Sequence, residues 1–255
     1  MTTKTSIYQA SRSVGTFAGS VIAQDSAKIG GWRHVFYLPQ GPRPAPQYPL
    51  HGGKIVNPFK GHGKIYAGDM LEHSLDGTLK IFKTYEIAQD TSSDTTKTIY
   101  ITSGYCENGR VFRHIPFVGD NLMVAPNDFD GVGVGVSVVS VEQTYDAKGQ
   151  MTGWKVGLSA TLGGLKKGAV LVEAAEVGAS VKPMVTNPNT YAEIDYDCPF
   201  VPATGDEDFD GARYLMTPNM MLGKELAYIN RIQPLPAYVL NAERFKSNYP
   251  ELIRL

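Results

Sequence analysis

The sequence has little charge and no excess of either sign. Its 255 residues include 24 Lys and Arg against 25 Asp and Glu, and charged residues make up 19% of the chain. An average soluble domain has roughly 25%. Lys166-Lys167 is the only pair of adjacent basic residues. Because binding to nucleic-acid phosphates or anionic lipid needs net or clustered positive charge, neither nucleic acid nor a membrane is an expected partner.

Long apolar runs are also missing. The first residues contain no apolar stretch that would serve as a signal peptide. The longest apolar stretch, 132–141, is interrupted by glycine and serine and is shorter than the roughly 20 residues that span a bilayer. We therefore expect a soluble chain made in a cytoplasm. Cys106 and Cys198 lie far apart without metal-ligand spacing, so two free thiols are expected and a disulfide is the alternative.

Motifs for nucleophilic, nucleotide and zinc chemistry are absent from the sequence. It contains no Gly-x-Ser-x-Gly elbow, no P-loop and no Gly-x-Gly-x-x-Gly sequence. None of its five histidines forms His-x-His or His-Glu-x-x-His. These absences predict a protein that is not an enzyme and that holds no organic cofactor.

Glycine, proline and tyrosine, by contrast, are abundant. The 27 Gly and 16 Pro interrupt the backbone often, and the 14 Tyr suit a half-buried pleated surface. We predict a mainly β fold with little helix. Its core would be a small antiparallel sandwich or barrel, flanked by extended N- and C-terminal arms.

Composition divides the chain into three regions. Residues 1–60 are predicted to be an extended proline-rich arm, residues 61–180 the β-core domain, and residues 181–255 an irregular C-terminal region with short helices. One of these helices is predicted to start at Asn241 as its N-cap, and another at Pro250. Both arms contain aromatic residues, which predicts that they bind their own domain or a neighbouring subunit.

Most of the predicted strands lie in the middle region, residues 61–180. Alternating or β-rich segments predict strands within 78–87, 98–102, 132–141, 153–158 and 169–173. The segment 132–141 is interpreted as a buried strand. Asp76-Gly77, Asn108-Gly109 and Lys148-Gly149 predict tight turns between strands.

One acidic cluster matches the first half of a calcium loop. Asp206, Asp208 and Asp210 occupy the first, third and fifth positions, and Gly211 occupies the sixth. The twelfth position, normally a bidentate Glu, is Thr217. The three aspartates are therefore candidate metal ligands for calcium, and a solvated acidic loop is the alternative.

Several short phrases in the chain resemble one class of phage protein. The phrases are Ala-Gly-Asp-Met-Leu at 67–71, Asp-Gly at 76–77, Lys-Ile-Phe-Lys at 80–83, Phe-Val-Gly-Asp at 117–120, Leu-Lys-Lys-Gly-Ala-Val-Leu-Val-Glu-Ala at 165–174 and Pro-Asn-Met-Met-Leu-Gly at 218–223. They cover roughly 65 to 225 and are similar to phrases in head-fibre and capsid-decoration (auxiliary capsid) proteins of tailed phages, crAss-like phages in particular.

This resemblance implies a structural virion protein on the capsid exterior, made in the cytoplasm of the host bacterium. It would bind the major capsid protein and other virion proteins, stabilise or decorate the head, or anchor a head fibre. It also implies a homo-oligomer, with a trimer favoured by the local threefold positions of a capsid lattice.

Two functions from other classes stay open. One is a carbohydrate-binding β-module that attaches to a host glycan, which exposure of Trp154 and several tyrosines in one groove would favour. The other is a hydrolase that uses the carboxylates of residues 206–210.

Overall fold

A computed structural model describes fourteen stretches of the chain. They are residues 36–37, 53–60, 63–66, 68–74, 76–91, 96–104, 106–107, 110–111, 113–192, 196–198, 207–209, 215–216, 226–227 and 232–242. Within them the chain is mainly β, with one short helix.

The strands and the helix are numbered in chain order. They are β1 (Phe36–Tyr37), β2 (Gly53–Ile55), β3 (Gly63–Ile65), β4 (Met70–His73), β5 (Thr78–Ile81), β6 (Thr84–Glu86), β7 (Thr98–Thr102), β8 (Cys106–Glu107), β9 (Arg110–Val111), β10 (Asn121–Val124), β11 (Gly133–Tyr145), β12 (Met151–Leu158), β13 (Val170–Glu173), β14 (Gly178–Val181), β15 (Thr190–Ala192), β16 (Tyr196–Cys198), β17 (Glu207–Phe209), β18 (Leu215–Met216), β19 (Leu226–Ala227) and α1 (Ala237–Leu240).

Six antiparallel strands close into a small barrel. They pair in the order β6, β13, β10, β11, β12, β7. The two ends of this order meet because Ile87, directly after β6, forms a β-bridge with Ile101 of β7. The N–H of Ala88 also donates to the carbonyl oxygen of Tyr100 at 2.7 Å. The prediction of a mainly β fold with an antiparallel core is therefore confirmed.

Alternate residues of the barrel strands fill its interior. The buried interior residues are Tyr85, Ile87, Ile99, Ile101, Leu122, Val136, Val138, Trp154, Val156, Leu158, Leu165 and Leu171. Because side chains in a strand alternate between its two faces, the neighbouring Met123 and Val172 point away from this interior. They are nevertheless fully buried, so β10 and β13 are covered on both faces.

A second layer covers the outer face of β10 and β13. Met70 and Phe82 pack there against Met123 and Val172. The cluster is completed by Ala174, Val181, Val185, Tyr238 and Val239. Met70 begins β4, which belongs to a six-stranded sheet in the order β17, β2, β5, β4, β15, β18. The β2–β5 pair of this sheet is parallel.

Strands near the start of the described chain pair with strands of the third region. β1 and β2 of the first region pair with β19 and β17, and β3, at the start of the second region, pairs with β16, all antiparallel. Near the end of the first region, Ile55 and Phe59 are buried, so this stretch is part of the packed fold. Most of the two predicted arms lies outside the described residues, and the region boundaries stay predictions.

The one described helix ends where the sequence predicted a helix to begin. α1 follows Pro236, and the N–H of Asn241 donates to the carbonyl oxygen of Ala237 at 2.9 Å. The prediction of Asn241 as an N-cap is therefore wrong. Packing explains the position of α1, because Tyr238 and Val239 are buried against the barrel and short helices depend on such contacts. The helix predicted at Pro250 lies outside the described residues.

Candidate functional site

The predicted calcium ligands are only partly described. Asp208 lies in β17, where its Cα is paired with that of Lys54 in β2. Asp206 and Asp210 lie outside the described residues, so the calcium loop stays a prediction. Within the described stretches, the His, Cys, Asp and Glu side chains form no group of three that could hold a metal ion.

His114 is the histidine with the most extensive buried contacts in the described part of the chain. Its Nε2 lies 2.9 Å from Oδ2 of Asp69, and its Nδ1 accepts the N–H of Thr84 at 3.4 Å. The side chains of His114 and Asp69 are fully buried. Both ring nitrogens therefore contact the protein, and the pair links Asp69 to Thr84 of β6.

A buried lysine lies between β5 and β6. Lys83 is 1% exposed, and its Nζ lies 3.0 Å from Oε1 of Glu173, the last residue of β13. Nζ also donates to the carbonyl oxygen of Pro58 at 2.9 Å and lies 5.2 Å from the centre of the Phe59 ring. A lysine this deeply buried needs such partners, because an unpaired buried charge is very costly.

The other oxygen of the same carboxyl group contacts an asparagine. Asn57, just after β2, donates from Nδ2 to Oε2 of Glu173 at 2.6 Å. The Asn57 amide also forms two bonds with the backbone of Ile81. Nδ2 donates to its carbonyl oxygen at 2.8 Å, and Oδ1 accepts its N–H at 2.7 Å. We call Asn57, Lys83 and Glu173 the Lys83 cluster.

Burial dominates the electrostatics of this region. Desolvation raises the pKa of Glu173 above its ordinary value, although the Lys83 charge and the Asn57 hydrogen bond oppose the shift. Desolvation likewise raises the pKa of Asp120, against the attraction of Lys83 and Lys60. The pKa of Tyr85 is well above its ordinary value because of burial and the nearby carboxyls.

The sequence analysis did not identify the Lys83 cluster. Its members lie far apart in the chain, and tertiary folding alone brings them together. One local sign exists: Lys83 interrupts a predicted strand at 78–87, next to Phe82 and close to Tyr85. A charged residue inside an apolar segment is consistent with a buried ion pair, but the sequence does not identify the partner.

The surface of the barrel presents exposed valines near the start of β11. Val132 and Val134 are 53% and 47% exposed, and Val124 of β10 is 36% exposed. Val177 is 55% exposed and precedes Gly178 of β14, whose Cα is paired with that of Gly135 in β11. We call these four residues the valine patch. The interpretation of 132–141 as a buried strand is therefore wrong for its first residues, which extend beyond the packed interior.

An apolar groove of about 610 Å³ adjoins this patch. Val124 and Val170 line it from the barrel, Phe129 from the loop after β10, and Leu235 and Leu240 from the α1 region. Val124 belongs to both features, so the groove meets the valine patch at this residue.

A long hairpin extends from the opposite end of β11. The Cα atoms of Glu142 and Lys155 are paired across it, and Tyr145 at its tip is 58% exposed. Among the described strands, only β12 pairs with residues 139–145. The other edge of this segment therefore has free backbone groups within the described structure, and such edges can add a strand from another chain.

Comparisons with known proteins give no family assignment. The chain matches no protein-family model, no curated protein and no solved structure. In the described part of the chain, no helix is long and apolar enough to cross a membrane. The candidate functional features are therefore the valine patch with its groove, the β11–β12 hairpin and the Lys83 cluster.

Proposed function

We propose that the chain is a structural virion protein that binds the outer surface of a tailed-phage capsid. The observation that supports this most is the valine patch. Its partner would be the major capsid protein, and docking would stabilise the head because each added interface opposes separation of the capsid subunits. The short phrases that resemble head-decoration proteins support the same function.

The valine patch has the properties of a docking surface. Its side chains are apolar and exposed, and they lie on or next to strands whose other side chains are packed in the core. Contiguous exposed apolar surface on a soluble protein commonly marks an interaction site. Because the backbone under the patch is already ordered by strand pairing, docking would need little further ordering of the chain.

The β11–β12 hairpin supports an oligomeric or lattice-bound protein in a second way. Its exposed edge at 139–145 could pair with a strand of a neighbouring copy or of a capsid subunit. Such pairing gains affinity from backbone hydrogen bonds and does not depend on sequence identity between partners.

The carbohydrate-binding alternative has less support. Trp154, the aromatic residue on which it chiefly depended, is 1% exposed and packs inside the barrel. It cannot stack on a sugar ring from that position.

Co-sedimentation with capsid shells tests the proposed function. Shells of the major capsid protein from the phage that encodes the chain, prepared without the chain, are mixed with the purified protein and centrifuged through sucrose. We expect the chain to sediment with the shells. Val134→Lys places a charge in the patch and should weaken this binding by about tenfold or more, equivalent to about 1.4 kcal/mol.

Val56→Lys is the matched control. Val56 is 37% exposed and directly follows β2 of the six-stranded sheet, outside both the valine patch and the edge at 139–145. It should sediment like the unchanged chain, and circular dichroism should show both variants folded. Failure of the unchanged chain to sediment with the shells would falsify the proposed function, and equal weakening by both variants would contradict docking through the patch.

A further inference from the structure

We propose that the chain forms an intramolecular isopeptide bond between Lys83 Nζ and Asn57 Cγ, with Glu173 as the catalytic residue. The inference rests on the geometry of the Lys83 cluster and does not depend on the proposed function. It assigns a covalent modification to residues that would otherwise form only a buried ion pair with an amide neighbour.

Glu173 is in hydrogen-bond contact with both reacting side chains. One carboxyl group contacts both reactants, with Oε1 3.0 Å from Lys83 Nζ and Oε2 2.6 Å from Asn57 Nδ2. The amine that must attack and the amide nitrogen that must leave are therefore separated by a single carboxyl group. An acid–base group in hydrogen-bond contact with both nitrogens can take a proton from the first and give a proton to the second.

The backbone of Ile81 fixes and polarises the amide. Its N–H donates to Asn57 Oδ1 at 2.7 Å, and its carbonyl oxygen accepts from Nδ2 at 2.8 Å. The N–H is placed where negative charge develops on Oδ1 during attack at Cγ, so it can stabilise that oxyanion. The second contact holds Nδ2 on the side that faces Glu173.

The reaction balances without any other reactant. Glu173 accepts a proton from the Lys83 ammonium, and the neutral amine attacks Asn57 Cγ to form a tetrahedral intermediate. The bond from Cγ to Nδ2 then breaks while Glu173 returns a proton to Nδ2, and one ammonia molecule leaves. The nitrogen of Lys83 loses its second proton as the amide forms, and Glu173 takes up that proton, so that the products are the amide, neutral ammonia and protonated Glu173. No oxidant, nucleotide or metal is consumed.

The surroundings favour the proton transfer that starts the reaction. The Lys83 and Glu173 side chains are 1% and 11% exposed, and the ring of Phe59 lies beside Nζ. Burial raises the pKa of Glu173, so its protonated form is more accessible here than in water. A neutral amine and a neutral acid also avoid the desolvation penalty of a buried ion pair.

The bond would join the segment after β2 to the connection between β5 and β6. Asn57 follows β2, and Lys83 lies between β5 of the six-stranded sheet and β6 of the barrel. A covalent link there would hold the end of β2 to this connection when the chain is pulled or heated. Such a link also removes chain entropy from the unfolded state, as other cross-links do.

Mass spectrometry of the purified full-length chain tests the proposal. The denatured chain should be lighter than its sequence by one ammonia molecule. Trypsin should release a branched peptide that joins residues 55–60 to residues 81–97, because a modified Lys83 is no longer a cleavage site. This branched peptide separates the bond from succinimide formation at Asn108-Gly109, which also releases ammonia without joining two peptides.

Two variants identify the role of Glu173. Glu173→Gln should abolish the branched peptide, because the amide cannot relay the proton. Glu72→Gln is the matched control: Glu72 also pairs with a lysine, Lys80, at 2.9 Å and is mostly buried, but it has no contact with the Lys83 cluster. The control should form the branched peptide as completely as the unchanged chain.

A refolding time course covers the case in which Glu173→Gln does not fold. The unchanged chain, purified in urea before it has folded, should have the full mass of its sequence. It should lose ammonia only after the urea is removed and the chain folds. A folded, unmodified chain that keeps its full mass overturns the proposal. A branched peptide that forms equally in folded Glu173→Gln overturns the role of Glu173.

Discussion

Buried polar groups define the behaviour of this chain at the scale of single residues. Lys83, His114, Asp69 and Asp120 are all almost fully buried, and most of their polar atoms contact protein partners. Two of the buried polar atoms that form no hydrogen bond within the described structure are the Tyr85 hydroxyl and Oδ1 of Asp120, which lies 3.8 Å from Lys60 Nζ. Removal of a buried polar group should therefore change the free energy of unfolding differently, depending on whether that group forms a hydrogen bond.

The Tyr85 hydroxyl is expected to contribute nothing to stability. Tyr85→Phe removes a buried polar group that has no hydrogen-bond partner among the described residues. The free energy of unfolding should therefore stay unchanged or rise by up to about 1 kcal/mol, measured by urea denaturation. Tyr85→Ala, which also removes the ring from the barrel interior, should lower it by about 3 to 5 kcal/mol. A clear loss in Tyr85→Phe would mean that the hydroxyl has a partner.

Glu72 is expected to make stability dependent on pH. Burial alone would raise its pKa, but the Lys80 ammonium and the N–H groups of Asn187 and Thr186 outweigh burial and hold the pKa below its ordinary value. A lowered pKa in the folded state means that the ionised group stabilises the fold above the ordinary glutamate pKa of about 4.3. That contribution is lost as the pH falls through the lowered value.

Glu72→Gln measures this contribution. At neutral pH the variant should be less stable than the unchanged chain by about 1 to 3 kcal/mol, because it loses charge-assisted hydrogen bonds. The difference should shrink toward zero as the pH is lowered below 4 to 5, the range in which glutamate in the unfolded chain becomes protonated. Urea denaturation at several pH values provides the comparison, and a difference that is constant with pH would contradict the assignment.

At the scale of elements, closure of the barrel depends on close approaches between strands. Gly153 of β12 is paired with Thr102 of β7 and has a φ of +152°. A Cβ added at Gly153 would lie 1.9 Å from the carbonyl oxygen of Ile101. The backbones therefore approach here as only glycine allows.

Gly153→Ala should strongly destabilise the barrel. Steric overlap and an unfavourable φ together should lower the free energy of unfolding by about 3 kcal/mol or more. Gly149→Ala is the matched control, because Gly149 has a φ of +77° but nothing within 4 Å of an added Cβ. Its loss should be only about 1 to 2 kcal/mol. Equal losses in urea denaturation would show that β7 and β12 are not in close contact at Gly153.

Local patterns predicted some of these elements well. β7 has the predicted bounds of 98–102, since its alternation of half-buried and buried residues is complete. The predicted strand at 78–87 is instead divided into β5 and β6 at Phe82 and Lys83, which are buried in separate clusters. β10 was not predicted, because Leu122 and Met123 are both buried and its four residues therefore show no alternation.

Other features depend on contacts distant in sequence and could not be predicted locally. β11 continues to Tyr145, beyond its apolar part, because Glu142 and Thr144 pair with residues of β12. Val132 and Val134 of the valine patch lie in a segment with the sequence pattern of a buried strand, and they are exposed because they extend beyond the end of the barrel core. The Lys83 cluster joins three segments that no single window of sequence contains.

At the scale of the whole molecule, the described structure combines a closed barrel with a second sheet built from both ends of the described chain. The β2–β17 pair of this sheet joins residues 53–55 to residues 207–209. A separate two-stranded sheet, β3–β16, likewise joins residues 63–65 to residues 196–198. The Lys83 cluster lies between the six-stranded sheet and the barrel, and the valine patch lies on the barrel surface. One part of the molecule would thus hold the fold together while another would bind the partner.

Electron cryomicroscopy of the phage heads tests the proposed function most directly. Heads purified from infected cells should show density for the barrel on the outer surface of the capsid. The valine patch around Val134 should face the major capsid protein, and the hairpin tip at Tyr145 should lie away from that contact or beside a neighbouring copy. Absence of the chain from purified heads, or a bound chain whose valine patch faces solvent, would contradict the account.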